Sequence, residues 1–131
     1  MASIVELRET SEDELEEMLE NAREEIFNLR FQHASARLED FSRIRKVRRE
    51  IAQIETVLHM RDLAIDEASR QPDVAELLDG KEWSAEAHFD YEESAWKVDF
   101  NDDDDDELAS ANVNLNVNRS KGRRARRMGK R

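Results

Sequence analysis

Residues 11–32, SEDELEEMLENAREEIFNLRFQ, and residues 43–54, RIRKVRREIAQI, decide the fold class of this 131-residue chain. Ser11 followed by Glu14 is a capping-box pattern, and Glu12, Asp13 and Glu14 put negative charge where a helix exposes its unpaired N–H groups. The pattern predicts a helix starting near Ser11. Leu15, Leu19, Ala22, Ile26 and Leu29 then recur at steps of four and three, which places them on one helical face, with Met18 and Phe27 flanking it. Ile44, Val47, Ile51, Ile54, Leu58 and Ile65 repeat this spacing, with Arg61 as the irregular member. Both series read as packing residues rather than as a ligand pocket. Between them the stripe breaks, and we expect a turn near residues 36–40. No Gly or Pro marks it, so one unbroken helix from 11 to about 66 is the competing reading. Two helices of roughly 25 residues, rising about 1.5 Å per residue, pack side by side over nearly 40 Å. Such a pair has a one-sided core and needs a further surface to cover it.

Working outward, the composition changes after Arg70. Residues 1–70 hold 11 basic and 17 acidic side chains (−6), residues 71–111 hold 2 and 15 (−13), and residues 112–131 hold 8 and none (+8). The acidic total of −11 therefore does not exclude a polyanionic partner, because a local field acts where it stands. Pro72 and Gly80 bracket a short candidate helix at Val74, Leu77 and Leu78. Alternation at Trp83, Ala85, Ala87, Phe89 and Tyr91, and again at Trp96, Val98 and Phe100, suits two short strands. A hairpin and an adhesive segment that folds only against a partner are both open. The run Asp102 to Glu107 reads as a solvated, disordered tract, and Asn112 to Asn118 as a brief candidate strand.

The expected fold class is all-α: an antiparallel two-helix hairpin (a long α-hairpin) followed by a largely disordered extension with candidate short strands. The expected domains are 1–68, a two-helix RNA-binding domain, and 69–131, an extension. Within the extension, 71–100 is partly structured, 101–111 is an acidic linker and 112–131 a basic tail.

Catalysis finds no support in the residue pattern. There is no cysteine, the three histidines lack metal-site spacing, and Gly-rich phosphate loops are missing. Ser11 is accounted for as a cap. We expect no enzyme, no cofactor and no metal. Apolar runs are too short for a membrane span and the acidic start lacks the features of a signal peptide, so a soluble cytoplasmic protein is the expectation.

The concentrated feature is basic. Arg43, Arg45, Lys46, Arg48 and Arg49 flank the second apolar stripe, and guanidinium forks and ammonium groups suit phosphate oxygens. That points to positioning on a nucleic-acid backbone rather than to base reading. The plain reading of the same residues is ion pairing with Glu16, Glu17, Glu20, Glu24 or Glu25 across the helix pair. The tail, with Arg123, Arg124, Arg126 and Arg127, is a second polyanion candidate, and its plain reading is an intramolecular clasp on Asp102 to Glu107.

Glu6-Leu7-Arg8, then Glu25-Ile26-Phe27-Asn28-Leu29-Arg30-Phe31-Gln32, and then Arg43 through Ile54 form a combination that resembles the universal large-subunit ribosomal protein family number 29, of bacterial type, over residues 4–66. The resemblance implies an antiparallel helix pair bound to large-subunit ribosomal RNA near the peptide exit tunnel, beside a neighbouring exit-ring ribosomal protein. It also implies a docking surface for factors that receive the nascent chain. Arg30, Arg45, Lys46, Arg48 and Arg49 are the RNA-contact residues it implies, with Phe27 and Leu29 in or beside the helix packing. The extension has no counterpart in the resemblance. A non-ribosomal helical adaptor is the first alternative, and a nucleoid-associated or histone-chaperone-like protein the second.

Overall fold

The computed structural model describes residues 2–115. In chain order it has α1 (Ile4–Glu9), α2 (Glu12–Ala34), α3 (Ser42–Ser69), α4 (Pro72–Leu78), β1 (Ser84–Asp90), β2 (Ala95–Asn101) and β3 (Glu107–Val113). The chain divides into two compact units between Met60 and Arg61, inside α3.

The first unit begins with α1, which the sequence reading did not anticipate. Ser3 and Glu6 form a reciprocal capping box: the Ser3 N–H donates to Glu6 Oε2 (2.8 Å) and the Glu6 N–H to Ser3 Oγ (3.3 Å). This short helix delivers Leu7, 1% exposed, into a cluster with Leu15, Leu19, Ile54 and Val57. Helix α2 starts where predicted, with Ser11 Oγ accepting from the Glu14 N–H. All five residues of its predicted stripe are buried. A second cluster joins Ala22, Ile26 and Leu29 to Val47, with Leu38, Ile44 and Ile51 packed against it. Early α2 thus meets late α3 positions and late α2 meets early ones, so the helices run antiparallel.

The unbroken-helix reading fails at Ala34. Ser35 caps α2, Ala36 turns left-handed at φ 56°, its N–H donates to His33 O, and the Arg37 N–H donates to Gln32 O at 2.9 Å. This pair of bonds is a Schellman motif, built on alanine where glycine is usual. Along α3 the buried line runs Val47, Ile54, Val57, Arg61, Ala64 and Ala68, while Ile44, Ile51, Leu58 and Ile65 are half-buried. Arg61 is therefore part of the regular spacing rather than a break in it.

The expected all-α class with a largely disordered extension is corrected by the second unit. Its three strands form an antiparallel sheet in the order β1-β2-β3, and α4 packs on β3 with Val74 and Leu78 buried. The register sets Phe89 beside Trp96 beside Val113, Ala87 beside Val98 beside Ala111, and Ala85 beside Phe100 beside Ala109. Cross-strand partners share a face. No single strand has enough apolar area to order itself, but three in register pool theirs, and Trp96, Val98 and Phe100 on the central strand are all at most 4% exposed. Trp83 meets Phe100 edge-on at 5.2 Å, and Phe89 meets Trp96 in the same way at 5.4 Å. Asp102 to Asp106 is the turn between β2 and β3 rather than a disordered tract, closed by the Asp102 N–H on Asp106 O and the Asp105 N–H on Asp102 O, both 2.9 Å. The third strand starts at Glu107, five residues before the one expected from sequence.

Candidate nucleic-acid interface

On α3, Val47 and Ile54 face α2, and each residue turns the helix by about 100°. The basic residues from Arg43 to Arg49 are consequently spread around the remaining surface rather than gathered on one edge. Arg43, Lys46 and Arg49 line one shallow groove with Glu25, Val47 and Glu50. Arg30 from α2 and Arg48 from α3 line another, with Ile26, Ile51, Ala52 and Glu55. Arg45 is exposed on the outer surface.

Ion pairing separates these residues. Arg43 Nη2 bonds Glu25 Oε1 at 2.8 Å, which is the plain pairing considered from sequence. Glu55, the acid in the second groove, is engaged by Arg23 at 2.9 Å. Among the described residues no ion pair holds Arg30, Arg45, Lys46, Arg48 or Arg49. The second groove therefore presents two guanidinium groups beside a carboxylate that is already neutralised. The first groove keeps Lys46 and Arg49 available beside the Arg43–Glu25 pair. Arg123, Arg124, Arg126 and Arg127 lie outside the described residues.

At the head of α3, Asp40 accepts from the Ser42 hydroxyl (2.6 Å) and the Ser42 N–H (3.0 Å). These hydrogen bonds, the hydroxyl first, hold its carboxyl below the usual carboxylate range, and the charges of Lys46 and Arg43 act in the same direction. The carboxylate thus stays ionised at the end of the helix that favours negative charge.

The sequence reading missed the aromatic part of this surface. Phe27 and Phe31 are 69% and 65% exposed, and Phe41 is 60% exposed beneath an edge-on contact with His33. Leu29 is packed as expected, but Phe27 is not. The signal was available: Phe27 follows the stripe residue Ile26 by one position, so it is rotated well off the core, and Phe31 four residues later falls on the same outward line. Exposed rings next to Arg30 combine apolar area with phosphate-binding groups, the composition that suits folded RNA.

Comparison with known proteins assigns this geometry to a family. The family model described as Ribosomal L29 protein matches residues 5–61. The chain is 48% identical over 68 residues to the large ribosomal subunit protein uL29 of Mycobacterium ulcerans, covering 52% of this chain and 85% of that relative. It is 53% identical over 60 residues to the protein of the same name from Mycobacterium sp. strain KMS, covering 46% of this chain and 78% of the relative. For Saccharopolyspora erythraea the identity is 50% over 60 residues, covering 46% and 75%. The matched residues hold the capped α2, the buried residues of both apolar clusters and the two basic grooves, and with this identity to the relatives the chain belongs to the ribosomal L29 protein family.

Proposed function

We propose that the protein is a structural constituent of the large ribosomal subunit, in the cytoplasmic ribosome, and that its helical hairpin binds large-subunit ribosomal RNA near the polypeptide exit tunnel. The observation that carries this reading is the set of Arg30, Arg45, Lys46, Arg48 and Arg49, exposed and, among the described residues, without an ion-pair partner, on a hairpin that shares about half of its residues with large-subunit relatives. Their forks and ammonium group fix the hairpin on phosphate oxygens, which positions the protein without reading base sequence. Arg43 contributes less, since Glu25 already holds it. Arg123, Arg124, Arg126 and Arg127 add a second, non-specific set of phosphate contacts.

The RNA-binding domain on this reading is 1–68, and 69–131 is an appended module. Phe27 and Phe31 are covered in the subunit by RNA or by the neighbouring exit-ring protein, and the remaining outer surface is available to factors that receive the nascent chain. The relatives are ribosomal proteins, so the reading contains no catalytic step. A non-ribosomal adaptor is not favoured by these relatives.

The test is sucrose-gradient cosedimentation of the tagged full chain at moderate and high salt. Wild-type protein should be recovered stoichiometrically with large subunits. A variant with Arg30, Arg45, Lys46, Arg48 and Arg49 changed to Gln should shift toward light fractions, with each lost phosphate contact reducing the salt dependence by roughly 0.7–0.9 in logarithmic slope. Recovery of the wild type in light fractions alone would sink the proposal.

A further inference from the structure

We propose that the polar face of the β1–β3 sheet, at the end closed by the five-aspartate turn, is an intramolecular docking surface for the chain's own basic segment, residues 119–131. The inference is independent of where the hairpin binds RNA.

The face is defined by the register. Glu86 stands beside Asp99 and Ser110, and the next row toward the turn sets Ser84 beside Asn101 beside Glu107. The turn that follows places Asp103 to Asp106 at the same end, all exposed. Residues 84–113 carry eleven carboxylates and one lysine. That lysine, Lys97, is already held by Asp90 at 2.9 Å. Asp102 spends one carboxylate oxygen on the Asp103 N–H at 2.7 Å, and among the described residues the group within ion-pair distance of Asp99 is His88, at 3.9 Å. Among the described residues no cation lies within ion-pair distance of Glu86, Glu107 or Asp103 to Asp106. The hairpin backbone forces consecutive like charges into a tight turn, and Asp105 adopts φ 61° there. A polycation relieves that repulsion.

The occupant follows from charge and tether length. Residues 116–131 hold eight basic residues and no acid. Strand β3 ends at Val113, so its seven residues, at about 3.4 Å each, separate the tail's origin from the turn by roughly 20 Å. Residues Arg123 to Arg127 lie eight to twelve positions beyond Leu115, a reach of about 26–43 Å when extended at 3.3–3.6 Å per residue. A tether of this length gives an effective concentration in the millimolar range, well above that of a diffusing basic partner. The attraction acts within a Debye length of about 8 Å at physiological salt, so the clasp is salt-sensitive. RNA phosphates compete for the same bases, and the sheet therefore holds the segment until a polyanion of higher charge density takes it.

Zero-length carbodiimide coupling of the full chain, mapped on an equal mixture of isotopically heavy and light copies, tests this directly. Expected is coupling of Lys121 or Lys130 to carboxylates within residues 86–107 of the same copy. Its yield should fall at least fivefold in 1 M salt and in an Asp103→Asn, Asp104→Asn, Asp105→Asn, Asp106→Asn variant. Unchanged fluorescence from Trp83 and Trp96 shows that this variant keeps its sheet. If it does not fold, changing Arg123, Arg124, Arg126 and Arg127 to Gln leaves the sheet intact and should lower the same yield. Coupling to the acids of α2, coupling between copies, a yield insensitive to salt, or a segment that engages only an added polyuridine RNA would each overturn the proposal.

Discussion

The hairpin of α2 and α3 and the sheet of β1–β3 are held together on different length scales. In the hairpin each packing residue is announced by neighbours three and four positions away, and the two clusters repeat one geometry along the helix pair. In the sheet, Phe100 lies between Ala85 and Ala109 of the two neighbouring strands, and the central strand supplies Trp96, Val98 and Phe100, each at most 4% exposed. Local spacing is enough to order the first kind of element. The second depends on pairings that close only when all three strands are present.

The largest effect should come from truncating the sheet core. Phe100→Ala is expected to cost about 3–5 kcal/mol. Both tryptophans lie in residues 83–96, so fluorescence reports on the sheet, while ellipticity at 222 nm is dominated by the helices. The fluorescence transition should shift further than the helical one, and Ile54→Ala, at about 2–5 kcal/mol, should reverse that order. Coincident shifts for both variants would break the contrast between the two regions.

Caps sharpen it on the helical side. Ser11→Ala removes the acceptor for the Glu14 N–H and should cost about 1 kcal/mol, read in a urea titration followed at 222 nm. A smaller gain is expected at the turn between the helices. Ala36→Gly removes the Cβ from a left-handed residue and should stabilise by up to about 1 kcal/mol, whereas a loss would contradict the Schellman geometry.

The smallest effects are in pH. Asp40 in the hairpin and Asp90 in the sheet both have carboxyls held below 3.8, the first by the Ser42 hydroxyl and the second by the Lys97 ammonium. Their stabilisation is in place above that value and is lost as pH falls through the lowered folded pKa, so both regions weaken in acid. Lys97, in contrast, is raised above 10.5 by its hydrogen bond to Asp90. Its contribution is complete below 10.5 and is lost as pH rises through the raised folded value. Lys97→Met should flatten the alkaline dependence of the fluorescence transition, and an unaltered slope would dismiss this pair as a contributor.

Legibility followed the same division. The α2 stripe and the start at Ser11 are readable residue by residue, whereas the turn expected near residues 36–40 competes in the sequence with an unbroken helix and is settled by the left-handed Ala36. On α3 the apolar spacing departs from the buried line at Leu58 and Ile65, because that line passes through Val57 and Arg61, and an arginine within an apolar series reads as an interruption. The basic residues were visible as a set, but their division between two grooves was not. Nor could Arg43 be told from Arg48, since that distinction rests on where Glu25 and Glu55 stand across the helix pair. Phe27 flanks the stripe in the sequence, although one helical step carries it to the outer surface, where Phe31 lies as well.

By itself the sequence determined the two apolar helical stripes, the capped start at Ser11, the reservoir of basic residues and the family they mark, because each depends on composition or on spacing within a few residues. The tertiary structure decided that residues 84–113 form a sheet and that the aspartate run is its turn. It also decided which cations lack an acidic neighbour. These outcomes depend on pairing between strands and across the two helices, where burial by a partner strand or an ion pair between helices outweighs what any local pattern prefers.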